Sequence, residues 1–313
     1  MQRERLLQLD LQLPLFKPIQ DNRMKSRISR SLKLLVSLTV FAASFVHDAV
    51  LQLLGLPPQA RCVALYYHSV SYSQRTKFAR QMDILNRWTK AIRADRRAAL
   101  QAGKRYSIVT FDDAFESVFR NALPELEKRG IPATVFVIAG VMGRTTGWEG
   151  YPERTMTPDE IKGMRSDLVM IGSHTLNHSP LCSLSEPEVK TEISESRKRL
   201  EELLHRKITL FSFPYGGFRD YMIEWCKEAG YERVFTTLPY LALSDPQEFL
   251  TGRISVEPDD WLLEFRLKLL GAYRWLPCAF SLKRRLFPIE DSDKRHSPRE
   301  HEVLTDHVES RVN

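Results

Sequence analysis

From about residue 60 to about residue 240 the chain alternates short apolar runs with segments of helical spacing, and this alternation constrains the fold most strongly. Cys62 to Tyr67, Tyr106 to Phe111, Ala133 to Ile138, Leu168 to Ile171, Thr209 to Phe213 and Arg233 to Thr236 read as buried strands. Between them, Phe78 to Trp88, Val118 to Lys128, Pro158 to Arg165, Glu186 to Leu204 and Met222 to Ala229 read as helices. Gly130 and Gly230 supply helix stops, while Thr157 followed by Pro158 supplies a start. Strand and helix in turn give parallel strands joined by helical crossovers, so the fold class is α/β. His68, Asp112, Asp113, His174 and Tyr215 each fall just after a strand. In a (β/α) barrel such positions converge at the carboxyl-terminal face, where active sites form. A doubly wound open sheet is the alternative, but no glycine-rich phosphate loop follows the first strand. A distorted or incomplete (β/α) barrel over residues 59–260 is therefore expected.

The flanks differ in character from this domain. The formal charge of +7 comes mostly from the ends. Residues 1–33 form a basic tail containing Arg3, Arg5, Lys17, Arg23, Lys25, Arg27, Arg30 and Lys33. Lys283, Arg284 and Arg285 open a polar tail within residues 261–313, which begin with an amphipathic helix from Trp261 to Leu270. These flanks suit an anionic surface such as lipid head groups, and no nucleic-acid motif accompanies them, so no nucleic acid is expected as a partner. Residues 34–58 are hydrophobic. Leu34 to Val46 is thirteen residues without charge, His47 and Asp48 interrupt, and the apolar run resumes until Pro57 and Pro58. Thirteen residues fall short of the roughly 20 that a spanning helix needs. A longer span takes Asp48 into lipid at about 2.5–3.5 kcal/mol. Three readings stand: a signal-anchor helix, an interfacial helix, or a helix packed on the domain. Membrane association is the expectation, on the cytoplasmic side in preference, with extracytoplasmic anchoring as the alternative. Cys62, Cys182, Cys226 and Cys278 are widely spaced and form no C-x-x-C pair, which favours a reducing compartment.

Three local patterns carry chemistry. Asp112 and Asp113 end a strand, where taken alone they serve as a cap or turn. His174 and His178 lie four apart, a spacing that lets two imidazoles meet one ion. With an acid they make three ligands and leave room for water and substrate, as a hydrolytic metal site requires. Pro214-Tyr215-Gly216 follows the next strand and by itself reads as a turn. The three patterns occur in order, each after its own strand.

On these residues the sequence resembles the polysaccharide deacetylases with the NodB homology domain, carbohydrate esterase family 4. The family's T-F-D-D-G is matched by Thr110, Phe111, Asp112 and Asp113, with Ala114 in the glycine place. Its H-[ST]-x-x-H is matched by His174 to His178, and its P-Y-G by Pro214, Tyr215 and Gly216. Gly130 to Phe136 resembles the family's G-[IL]-P-A-T-F-F. The resemblance implies a distorted barrel, a divalent metal (usually zinc) and removal of acetyl groups from carbohydrate. It implies Asp113, His174 and His178 as metal ligands and Asp112 as general base. It further implies that the Tyr215 backbone N–H stabilises the oxyanion, with Pro214 and Gly216 at the substrate. Tyr66-Tyr67-His68-Ser69-Val70 resembles the Y-H-x-V opening of poly-N-acetylglucosamine deacetylases, which makes His68 the acid for the leaving amine. Many members carry an arginine two residues before the proline of P-Y-G, where this chain has Ser212; Arg253 is the candidate to restore that charge. The partner implied is an acetylated amino-sugar polysaccharide or lipid-linked oligosaccharide. O-deacetylation, deformylation, or glycan binding by a decayed site are the competing readings.

Overall fold

The computed structural model describes the backbone of residues 23–146 and 152–279, and side chains from Arg30 onward. The chain's compact unit ends at Pro277, and of the unit that follows only Cys278 and Ala279 are described. The basic residues before Arg23, His296, His301, His307 and the Lys283 cluster lie outside the described residues.

Strands β1 (Arg61–Tyr67), β2 (Lys90–Ala91), β3 (Arg105–Phe111), β4 (Ala133–Val137), β7 (Val169–Ser173), β8 (Leu210–Ser212), β9 (Arg233–Phe235), β10 (Leu250–Thr251) and β11 (Ile254–Ser255) form one sheet. Every pairing in it is parallel, in the order β10-β9-β8-β7-β4-β3-β1-β11, with β2 against β3. A separate antiparallel pair, β5 (Thr145–Thr146) and β6 (Glu153–Arg154), lies outside it. The sheet curls into a half-barrel with helices around it, the architecture expected. β10 and β11 end the strand order at opposite edges, yet only Gly252 and Arg253 separate them in the chain. Two residues of backbone thus bridge the seam that no strand ladder closes. A Cβ at Gly252 would meet the Leu238 carbonyl oxygen at 2.5 Å and the Tyr240 nitrogen at 2.9 Å, so the seam needs glycine.

Strand alternation divides two cores. Cys62, Ala64, Tyr106, Ile108, Phe136, Met170, Leu210 and Phe235 fill the barrel interior. Val63, Leu65, Tyr67, Val109, Phe111 and Val135 face the helices and join the larger cluster with Phe78, Met82 and Leu85.

The helices are α1 (Arg23–Leu53), α2 (Arg75–Trp88), α3 (Leu123–Glu127), α4 (Pro158–Lys162), α5 (Glu186–Leu204), α6 (Asp220–Glu228) and α7 (Leu262–Leu269). α5 has the expected bounds, and α4 stops early at Gly163. The helix expected over Val118 to Lys128 is instead a π-helical turn, Val118–Ala122, running into α3. Pro124 has no N–H to donate to the preceding turn, which accounts for the local unwinding. α1 is longer than the expected segment and passes through His47 and Asp48 without a break. Its stretch Arg30–Leu53 is long and apolar enough to cross a membrane by length and composition. Asp48 is tolerated because it turns to the domain, where Arg61 grips both carboxylate oxygens at 2.9 and 2.6 Å.

Candidate active site

The alternation that fills the interior also delivers the polar groups. On β1, Cys62, Ala64 and Tyr66 point inward, so His68 follows on the same parity. On β3, Tyr106, Ile108 and Thr110 point inward, so Asp112 follows; Met170 and Gly172 similarly lead to His174. β1 and β3 stay in register to Tyr67 and Phe111, and the Asp112 N–H donates to the Tyr67 carbonyl at 2.9 Å. His68 and Asp112 thus leave neighbouring strands side by side.

Arg253 is fully buried and grips Asp112 with two parallel bonds, Nη1 to Oδ1 at 2.7 Å and Nη2 to Oδ2 at 2.8 Å. It also donates to the Thr110 hydroxyl (3.0 Å), the Ser212 hydroxyl (2.7 Å) and the Thr236 carbonyl (3.3 Å). Rings of Tyr66 and Phe136 lie 4.8 and 5.3 Å from its guanidinium carbon. Placed at the barrel seam between β10 and β11, Arg253 reaches Asp112 at the end of β3 and bonds Ser212, which stands in the family's arginine position. Burial alone raises the Asp112 carboxyl. Arg253 outweighs it, with His174 and His68 adding, and the group settles at about 2.

Asp113 turns out of the strand with φ of 66° and is completely buried beside the imidazoles. Its Oδ1 lies 3.5 Å from His174 Nε2 and 3.2 Å from His178 Nε2. Two ligand atoms bound tetrahedrally at ~2.1 Å from one zinc ion sit ~3.4 Å apart, so both separations suit a shared cation. One ligand atom from each of the three residues falls within 4.8 Å of the others. His174 Nδ1 lies 2.8 Å from the Ser212 carbonyl, which fixes that nitrogen as the N–H and leaves Nε2 with its lone pair toward Asp113. Burial lowers His174 to about 4, and burial together with His174 lowers His178 to about 2. Both rings are neutral near pH 7, the form that binds metal. The donor set therefore fits a divalent cation in number, spacing and protonation.

The loop bearing the histidines is pinned by Glu192 on α5, a residue that sequence inspection overlooks. One of its oxygens accepts the Leu176 and Asn177 backbone N–H groups, both at 2.9 Å, and the other accepts the Asn177 amide at 2.8 Å. Thr175 Oγ1 accepts the His178 N–H at 3.1 Å. A carboxylate on the apolar stripe of Val189, Ile193, Ser196 and Leu200 was the signal available.

Tyr215 has φ of 57° and ψ of 5°, is about half exposed (47%), and packs its ring 4.7 Å from that of His178. Pro214 and Gly216 are buried beneath it and shape the turn. Gly216, at φ of 69°, lies so close to Thr237 that a Cβ would collide with its side chain. Ala114, in the family's glycine place, has φ of 52° and costs about 1 kcal/mol relative to glycine, a penalty that applies because the backbone is left-handed there. His68 packs against Tyr66 at 5.6 Å between ring centroids and lies within electrostatic reach of Asp112, His174 and His178. The seven polar residues named from the sequence, with Pro214 and Gly216, thus meet at one mouth.

A parallel half-barrel carrying a buried carboxylate and two imidazoles at the carboxyl ends of its strands defines a class of α/β proteins with a candidate metal centre. The family model for polysaccharide deacetylases matches residues 99–234. The solved structure of IcaB from Ammonifex degensii superposes with a TM-score of 0.58 at 30% identity, over 69% of this chain and 99% of that one. The chain belongs to the polysaccharide deacetylase family. Among curated relatives, the putative polysaccharide deacetylase YxkH of Bacillus subtilis is 28% identical over 151 residues, 48% of this chain and 51% of that protein. The poly-beta-1,6-N-acetyl-D-glucosamine N-deacetylase of Staphylococcus aureus is 28% identical over 166 residues, 50% of this chain and 56% of that protein. The chain spans about half the length of the curated relatives it matches.

Proposed function

We propose that the protein is a metal-dependent hydrolase that removes N-acetyl groups from an amino sugar in a polysaccharide or lipid-linked glycan. The observation that carries this reading is the meeting of the Asp113, His174 and His178 donors with the Asp112–Arg253 pair at one mouth. The N-deacetylase name of the Staphylococcus aureus relative supports the substrate class. A divalent cation held by Asp113, His174 and His178, with zinc favoured by this donor set, would supply Lewis acidity and bring the pKa of water toward about 7.

The chain's own residues do the rest. Asp112 remains ionised and accepts the proton of the attacking water on a carboxylate oxygen. Arg253 makes it a weak base, which suits a water whose acidity is already raised. The Tyr215 backbone N–H donates to the acetyl oxygen as negative charge develops there. Protonated His68 gives its proton to the amide nitrogen as the C–N bond breaks. Acetate and a free amine leave, with the water oxygen in the acetate.

Acetate release from β-1,6- and β-1,4-linked N-acetylglucosamine oligomers, with O-acetylated and N-formylated sugars alongside, tests the reading. Acetate from an N-acetylated oligomer is expected, abolished in Asp112→Asn. Release confined to the O-acetyl or N-formyl arms, or from no sugar despite bound metal, would count against it.

A further inference from the structure

The face that α1 presents to the domain carries polar residues spaced between apolar ones, and the face it presents outward is apolar. Arg30, Leu34, Ser37, Phe41, Ser44 and Asp48 recur at intervals of four and three residues, one stripe of a helix. Each polar member has a partner on the domain. Arg30 Nε donates to Glu264 at 2.6 Å, and its guanidinium lies 4.5 Å from the Trp261 ring. Trp275 Nε1 donates to the Ser37 hydroxyl at 3.0 Å, and Arg274 donates to the Ser44 hydroxyl at 2.7 Å. Arg61 holds both oxygens of Asp48, with Arg105 at 3.7 Å. Leu34 and Phe41 pack against the main core between these contacts.

The stripe fixes direction as well as contact. Arg30 lies against residues that follow β11, whereas Asp48 lies against Arg61 and Arg105, the first residues of β1 and β3. α1 therefore runs the height of the barrel, antiparallel to its strands. On its outer side Leu32, Leu35, Phe45, Val46, Val50 and Leu53 are roughly half exposed or more. Trp261, Leu262 and Leu263, at the start of α7 and beside Arg30, are likewise each about half exposed. Beside the carboxyl-terminal half of α1, a groove of about 730 Å³ is lined by Phe45 together with Arg61, Arg87, Lys90, Lys104 and Arg105. Those five cations face one carboxylate, Asp48.

From this arrangement we propose that α1 lies flat on an anionic lipid bilayer instead of crossing it, with its apolar outer face and Trp261 in the lipid and the groove's cations on the head groups. A spanning orientation would have to pull Asp48 from Arg61 and strip the Ser37 and Ser44 contacts, exposing polar groups to hydrocarbon. In the flat orientation every one of those contacts is kept, and basic side chains beside a long apolar face match the chemistry of interfacial helices. Because the strands run alongside α1, the candidate active site then opens along the membrane surface and not away from it.

The full chain, purified in detergent, is mixed with vesicles of phosphatidylcholine alone or with phosphatidylglycerol and floated on a density gradient. Flotation is expected with both, stronger with phosphatidylglycerol, and the difference should vanish at high salt. Leu35→Glu with Phe45→Glu should lower the bound fraction about ten-fold or more while the unfolding transition is kept. Lys90→Glu with Lys104→Glu should remove only the salt-sensitive part. Alkaline carbonate should release the bound wild type. Binding indifferent to the two glutamates, resistance to carbonate extraction, or a stable dimer that ignores vesicles would each overturn the proposal.

Discussion

Replacing Arg253 by methionine isolates what the buried pair with Asp112 does. The guanidinium makes two bonds to the carboxylate and three to neighbouring oxygens, and it is itself fully buried. Removing one partner of such a pair leaves an uncompensated buried charge and costs about 3–5 kcal/mol. For a domain of this size that corresponds to a fall in Tm of roughly 6–20 °C. The pH dependence carries the sign. In the wild type the folded carboxyl lies at about 2, below its ordinary value, so the pair's stabilisation is complete above about pH 4 and is lost as pH falls toward 2. In Arg253→Met burial acts with its main opponent gone, and the carboxyl moves upward. The variant's deficit should therefore shrink as the medium is acidified, because the neutral acid is the cheaper buried form. Urea unfolding of metal-free wild type and variant across the acid range measures the difference directly. Asp112→Asn combined with Arg253→Met should recover part of the lost stability, since no charge is then stranded. A deficit below about 1 kcal/mol, within what an exposed pair contributes, would refute the argument. So would a deficit independent of pH.

Three further outcomes follow from the same contacts. Glu192→Ala strands two backbone N–H groups behind the histidine loop and should lower metal affinity about 10–100-fold, read by competition with a chelator, while Glu192→Gln keeps more of it. Equal affinity in wild type and Glu192→Ala would show that the loop needs no such pin. His174 and His178 titrate below their ordinary value when folded, so metal-free protein should lose stability as pH falls from about 6.5 toward 4; a flat or rising stability on acidification would contradict the burial assigned to them. Gly252→Ala forces a methyl group onto the Leu238 carbonyl and should destabilise by about 1–3 kcal/mol in chemical denaturation, whereas an unchanged midpoint would mean the seam is slack.

Much of this arrangement is legible in the chain itself, and parity explains why. Cys62, Ala64, Tyr66 and His68 share one side of a strand, as do Ile108, Thr110 and Asp112, so period-two reading alone sends the polar end residues inward. Asp113 breaks the parity, and its positive φ is what returns it to the imidazoles. Gly252 and Arg253 separate two strands of two residues each, Leu250–Thr251 and Ile254–Ser255, that lie on opposite edges of the sheet. Only long-range closure decides that split, and local pattern carries no trace of it. The strands β2, β5 and β6 are two residues each, too short for any periodicity. Asp48 misleads in the opposite way: as text it interrupts an apolar run, whereas in the fold it is one of the contacts that hold α1 on the domain.

Metal content measured on the same protein preparations as acetate release tests the central claim most directly. Wild type should carry close to one equivalent of divalent metal and release acetate. His174→Ala should lose both, and Asp112→Asn should keep the metal while losing turnover. Full metal in His174→Ala, or undiminished turnover in Asp112→Asn, would contradict the assignment of ligand and base at this mouth.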